Sequence, residues 1–133
     1  MMDIEFDSMF TRCQELSSFE GRRLTDGQGN SMYEQAHITE QDKPLIQGMV
    51  RKAVEMANSR LSSSVGEIGF SLTPSQQVQT GALKLLEEIV AAYVMYLWLE
   101  DKSKERSDCY LAMTEQMMSA FRSRVRPTLM DDY

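Results

Sequence analysis

His37, Cys13 and Cys109 are the residues of this 133-residue chain from which a nucleophile and its base would have to be built. His37 is the only histidine, so it would have to serve either thiol, and no motif surrounds any of the three. Two cysteines and one histidine so far apart also lack the ligand spacing of a zinc site. Both thiols fall at or beside apolar helical positions and read as core groups. Asp26-Gly27-Gln28-Gly29-Asn30 places oxygen side chains at alternate positions, as the start of a calcium loop does. It lacks the bidentate glutamate at the proper distance, and a simple turn is the favoured reading. No glycine-rich phosphate cradle joins a strand to a helix with a lysine.

Glu87 and Glu88 are adjacent, so on a helix they point to different sides and do not form a cooperating acid–base pair. Arg122, Arg124 and Arg126 alternate and cannot all share one helical face, which argues against a nucleic-acid-binding stripe; partner carboxylates suit them better. The residues therefore predict no catalytic, cofactor or metal site, and a protein that is not an enzyme. What remains is packing. Ile89 to Leu99 reads IVAAYVMYLWL, bounded by Glu87 and Glu88 on one side and Glu100 and Asp101 on the other. It is shorter than the roughly 20 residues of a membrane span and suits a fully covered helix. Such a helix needs cover all round, from its own chain or from another, and the expectation here is that its own fold cannot supply all of it. Tyr93, Tyr96 and Trp98 inside it have polar tips that need partners, an arrangement favoured at interfaces.

The elements that would position these residues follow from periodicity. Phe6, Met9, Phe10, Cys13 and Leu16 define a first amphipathic helix over residues 1–17, with Asp3, Glu5 and Asp7 near its start. A long loop is expected over 18–38, where Asp26, Gly27, Gly29 and Asn30 are turn formers. Thr39 to Asp42 offers a capping-box-like start to a second helix, with Asp42 an alternative cap because of Pro44. That helix shows an apolar face from Leu45 to Leu61 and ends at Ser62–Ser64 and Gly66. Ile68, Phe70 and Leu72 alternate as a short strand, whose partner is sought near Ser31–Gln35 or in a neighbouring subunit. Thr73-Pro74-Ser75-Gln76 marks the start of a long third helix running to about Asp101, some 40 Å. Glu100 and Lys104 make a favourable pair across a slight break. A last helix carries Tyr110, Met113, Met117, Ala120, Phe121 and Val125 on one side and stops at Pro127. The predicted fold is mostly α: about four helices in a bundle, one long central helix, and a short β strand or hairpin, in a single domain over residues 1–133 with a tail at 128–133.

Charge divides the chain. Residues 1–42 hold nine acids and three arginines, and the rest holds eleven of each sign, so the whole net charge of −6 lies in the first third. From Lys102 to Arg126 bases outnumber acids. Opposite ends of this kind suit head-to-tail contact between copies. Eleven methionines suit core filling and adaptable interfaces. No basic, apolar leader opens the sequence, so synthesis in a reducing cytosol is expected.

The order ITEQDKPL, a strand-like segment, LLEEIVAAYVMYLWLED and a last helix closing in SRVRP resembles the head-tail connector, or adaptor, family of tailed phages, as in small neck proteins of Bacteroides-type phages and prophages. The resemblance covers about residues 38–127 and leaves out the acidic first helix. It implies a virion structural protein forming a homo-oligomeric ring, commonly of twelve, between portal protein and tail or other neck proteins, made in the bacterial host cytoplasm. DNA would pass through without sequence-specific binding, and no membrane would be involved. Tyr93, Tyr96, Trp98, Phe121, Arg122, Arg124 and Arg126 are the expected contact residues. The alternative is a soluble helical regulatory or adaptor module that holds a partner helix in a groove between its long helices.

Overall fold

The acidic opening of the chain is divided between two elements. Residues Met2–Glu5 are extended (β1), and the first helix, α1, begins only at Phe6 and runs to Gly21 in the computed structural model, which describes residues 2–72 and 80–130. β1 pairs in parallel with β2, Ile68–Ser71, with Met2 opposite Ile68 and Ile4 opposite Phe70. The partner of the strand foreseen at residues 68–72 is thus the N-terminal segment, and not Ser31–Gln35 or another subunit. A run of acids around one isoleucine is too short for its period to separate strand from helix start. Ile4 and Ile68 are both buried, and that burial holds an otherwise marginal two-stranded ribbon. The side chain of Asn58 substitutes for a further strand: its Oδ1 accepts from the Ile68 N–H at 2.7 Å and its Nδ2 donates to the Ile68 carbonyl at 2.9 Å.

α1 buries Phe6, Met9, Phe10, Cys13, Ser17 and Glu20, a face of period three to four that continues past the expected end at residue 17. The segment expected as loop is then largely folded. Asp26 closes a turn in which its carboxylate accepts the backbone N–H groups of Gln28 (2.8 Å) and Asn30 (2.9 Å), and Thr25 pairs with Ser31. Those bonds, Asn30 first, hold Asp26 below the usual carboxylate range, so the calcium-like sequence satisfies itself as a turn. A single helical turn, α2 (Tyr33–Ala36), lies against Gly21, where a Cβ would come within 3.2 Å of the Tyr33 ring.

Thr39 and Asp42 then cap as read: the Thr39 N–H donates to Asp42 Oδ2 at 2.9 Å and its hydroxyl at 3.1 Å. A 3₁₀ turn, Glu40–Asp42, leads directly into α3, Lys43–Val65, with Pro44 in its first turn, where a missing N–H costs nothing. Ile46, Val50, Ala53, Val54, Ala57 and Leu61 form its buried face, and Gly66, at φ +76°, ends it in the left-handed conformation that glycine takes freely.

α4 spans Gly81–Leu99, about 28 Å, and not the 40 Å expected. Its cap is Thr80, whose hydroxyl accepts from the Leu83 N–H at 3.1 Å; the Thr73-Pro74-Ser75-Gln76 start lies outside the described residues. A turn over residues 100–103 follows, and Lys104 pairs with Asp108 (3.1 Å) rather than bridging the break to Glu100. The longest element is α5, Lys104–Met130. Pro127 does not stop it: a proline removes one intrahelical bond and bends a helix without always ending it. The fold is mostly α, a bundle of four long helices (α1, α3, α4, α5) with a short parallel ribbon, and α4 packs on α1, α3 and α5. No helix among the described residues is long and apolar enough to cross a membrane.

Candidate interaction surface

The apolar run of α4 is covered mainly by its own chain. Ile89, Val90, Ala91, Ala92, Val94, Met95, Trp98 and Leu99 are buried, and only Tyr93, Tyr96 and Leu97 stay half-exposed. The expectation of apolar surface in excess of what this fold can hide is corrected accordingly: α1, α3 and α5 enclose three sides of the helix, and two tyrosines and a leucine are what is left. Their rings and methyls make one strip, with Tyr93 and Tyr96 centroids 5.4 Å apart. A hydrogen bond to Glu100 pushes the Tyr96 phenol up from its ordinary range.

Two of the expected contact residues have no surface to offer. Phe121 is 0% exposed and Trp98 is 5% exposed. Trp98 acts inwardly: its Nε1 donates to the Ala36 carbonyl at 2.7 Å, tying the α2 segment to α4, and Lys102 Nζ lies 3.8 Å from the ring centroid. That ammonium also donates to the Trp98 carbonyl and to the Asp101 carboxylate, both at 3.1 Å. Arg122 is half-exposed on α5. Arg124 and Arg126 belong to the same helix, and their side chains lie outside what is described.

Sequence reasoning missed the charged groups that set the helices against one another. Glu20, 2% exposed, accepts from Arg106 Nε (2.8 Å) and Nη2 (2.9 Å) and from the Tyr110 hydroxyl (2.9 Å). This buried carboxylate fastens the end of α1 to α5. Burial, and after it the Glu20 charge, pushes the Tyr110 phenol up; the Glu20 hydrogen bonds hold Arg106 even more firmly in its charged form. Arg12 grips Glu88 with two bonds (2.9 and 3.1 Å) between α1 and α4, and Arg60 grips Glu115 likewise (3.2 and 2.7 Å) between α3 and α5. The planar guanidinium fork matches a carboxylate in each case. One signal was available for Glu20: it continues the series Phe6, Cys13, Ser17 along the buried face of α1. The first third of the chain therefore spends part of its acidity on a base from the basic end within one molecule, where contact between copies was expected.

Among the described residues no arginine clasps Glu87, and the Lys84 charge offsets only part of what acts on it. Burial, then Glu5, then Glu88 raise its carboxyl above the usual range, so the folded protein holds that proton more tightly than the unfolded chain. Stability from this group is fullest below the ordinary carboxylate value and declines as pH rises through the raised one. Glu87→Gln should flatten this part of the curve, read as urea midpoints from pH 4 to 7, and raise stability at neutral pH.

The thiols and the histidine do not assemble a nucleophile. Cys13 is buried, and burial pushes it up to about 12, whereas Cys109 is half-exposed on α5. A thiol reagent at neutral pH should label Cys109 alone in the native protein and both after unfolding; rapid native labelling of Cys13 would contradict the packing. His37 stacks on Tyr33 (centroids 5.0 Å, 12° between planes), and its buried Nδ1 has no hydrogen-bond partner among the described residues. No group of three potential metal ligands exists among them either. Asp7, Ser8, Thr11, Arg12 and Glu15 line an open depression along the flank of α1. Compared with family models, with curated proteins and with solved structures, the chain matches none.

Proposed function

We propose that this protein is a non-enzymatic structural subunit that assembles with copies of itself. The resemblance over residues 38–127 specifies the assembly: a head-tail connector, or adaptor, ring in the neck of a tailed-phage virion, between portal protein and tail. The observation that carries the reading is the Tyr93–Tyr96–Leu97 strip, which stands half-open within an apolar run, Ile89 to Leu99, whose other residues are all buried. Tyrosines held rigid by a packed core contribute large contact area at small entropic cost, and their hydroxyls tolerate water until a neighbour arrives. Tyr93, Tyr96 and Arg122 are the contact residues in this reading, with Arg124 and Arg126 assigned by sequence alone. DNA would cross the ring without being read.

Mass spectrometry of purified virions from the host strain, with pull-down of the portal protein by the tagged chain, tests the placement. Recovery in stoichiometric amounts with portal and tail proteins is expected. Absence from particles, with recovery instead on a regulatory protein through a bound helix, would replace this reading with that of an adaptor module.

A further inference from the structure

Two surface patches of the bundle are complementary in shape of charge and in ring chemistry. One lies at the end of α1, where Phe19 is 48% exposed, Arg23 stacks its guanidinium 4.2 Å from the ring centroid, and Arg22 is exposed beside them. Neither arginine forms an ion pair among the described residues. The acids close to them in sequence are engaged elsewhere: Glu15 with Arg12, Glu20 with Arg106, and Asp26 with two backbone N–H groups of its own turn. The other patch is the Tyr93–Tyr96–Leu97 strip, with Glu100 exposed at its end. Of the lysines nearby, Lys102 is paired with Asp101 and Lys104 with Asp108, and Lys104 acts on Glu100 only at longer range. Glu100 is bonded to the neutral Tyr96 phenol and has no ion pair among the described residues. We infer that the Phe19–Arg22–Arg23 patch of one copy docks on the Tyr93–Tyr96–Leu97 strip of the next, with its arginines on Glu100, so that copies join head to tail. The pairing rests on the reading of that strip as a contact between copies and supplies its other half.

The occupant follows from charge and from placement. A phenylalanine set against two tyrosines and a leucine removes apolar surface from water on both sides, and aromatic pairs add to that gain. A guanidinium is attracted by tyrosine faces and by a carboxylate at once, which makes arginine the cation suited to such a surface. Arg23 is already ordered by the ring of its own chain, so less freedom is lost when it docks. Placement separates the two patches. α1 packs on the side of α4 that carries Glu88, five residues and about 140° around the helix from Tyr93, and Phe19 lies outside the buried face of α1. They therefore look to different sides of the bundle, and one molecule cannot bring its own two together. A contact between unlike patches leaves one of each free at every step, so it repeats, and closes into a ring where the rotation allows. A two-fold pairing of the strip with itself would leave both arginines outside and put two Glu100 carboxylates into one interface.

Crosslinking between distinguishable copies tests it. In a Cys109→Ser background, with Cys13 buried, one chain carries Arg22→Cys and a second chain, bearing a tag of different mass, carries Glu100→Cys, so that a disulfide replaces the charge pair. Under mild oxidation the mixed disulfide should form about tenfold faster or more than either variant links to itself or to an exposed Ser8→Cys control, because docking raises the effective thiol concentration. Charge exchange is the second arm. Arg22→Glu with Arg23→Glu, both at exposed positions, should weaken association about tenfold in light scattering, and adding Glu100→Lys to that chain should restore it. Glu100→Cys linking fastest to itself, or association indifferent to the arginine reversal, overturns the head-to-tail pairing and leaves self-association through the strip standing. Equal rates throughout overturn the pairing as well, and if the chain is also a monomer at every concentration the reading of the strip falls with it.

Discussion

Arg106→Ala should destabilise the protein by about 3 kcal/mol or more, because it leaves the Glu20 carboxylate, 2% exposed, buried without its counter-charge. Arg106 contributes two of the three hydrogen bonds that Glu20 accepts, and the Tyr110 hydroxyl alone cannot replace a charge. Part of the guanidinium reaches water, so the deficit lies almost wholly on the glutamate side. Denaturant unfolding checks this, and the double variant Glu20→Leu with Arg106→Leu separates the causes. An apolar pair of similar volume removes the stranded charge, so the double variant should recover most of the loss. A single variant within about 0.5 kcal/mol of the parent, the range of ordinary surface changes, would mean that Glu20 is reached by water.

Trp98→Ala should cost a comparable amount, about 3–5 kcal/mol, as a large-to-small change in a core. It also leaves the Ala36 carbonyl without its donor and Lys102 without the ring beneath it. The consequence is directional: the α2 segment, fastened to α4 through this bond, should lose hydrogen-exchange protection around residues 33–38 beyond the general loss. Had Trp98 been an interface anchor, the same variant would weaken association and leave the isolated chain's melting untouched. Thermal unfolding at low concentration decides between the two, and a lowered midpoint is expected.

Helix identity in this chain was readable where period and caps agreed. α3 is the clearest case, since Thr39 and Asp42 close its start, Gly66 ends it, and its apolar residues recur at three and four. Three things were hidden for physical reasons. β1 is four residues whose partner lies more than sixty positions away, and no local pattern encodes a parallel pairing of that span. The extension of α1 to Gly21 crosses two serines, polar residues that read as loop unless one knows that Ser17 Oγ accepts from the buried Ile38 N–H at 2.9 Å. The cover of α4 depended on tertiary packing: an apolar helix demands enclosure, but its sequence does not say whose atoms provide it. That is why Trp98 and Phe121 read as contacts between molecules and stand instead within one. Of the aromatic residues in the run, Tyr93 and Tyr96 alone keep part of their surface open. The arginine–glutamate clasps had no sequence signature, because Arg12 and Glu88, or Arg60 and Glu115, become neighbours only once the bundle exists.

The claim on which the functional account depends is that the folded chain, its core complete, still associates with itself through the strip on α4. Light scattering coupled to size-exclusion chromatography, from micromolar to several hundred micromolar protein, measures this directly. The account predicts a mass that climbs with concentration to a discrete multiple of the chain and falls when Tyr93 and Tyr96 are both changed to alanine. A monomer at every concentration would contradict it.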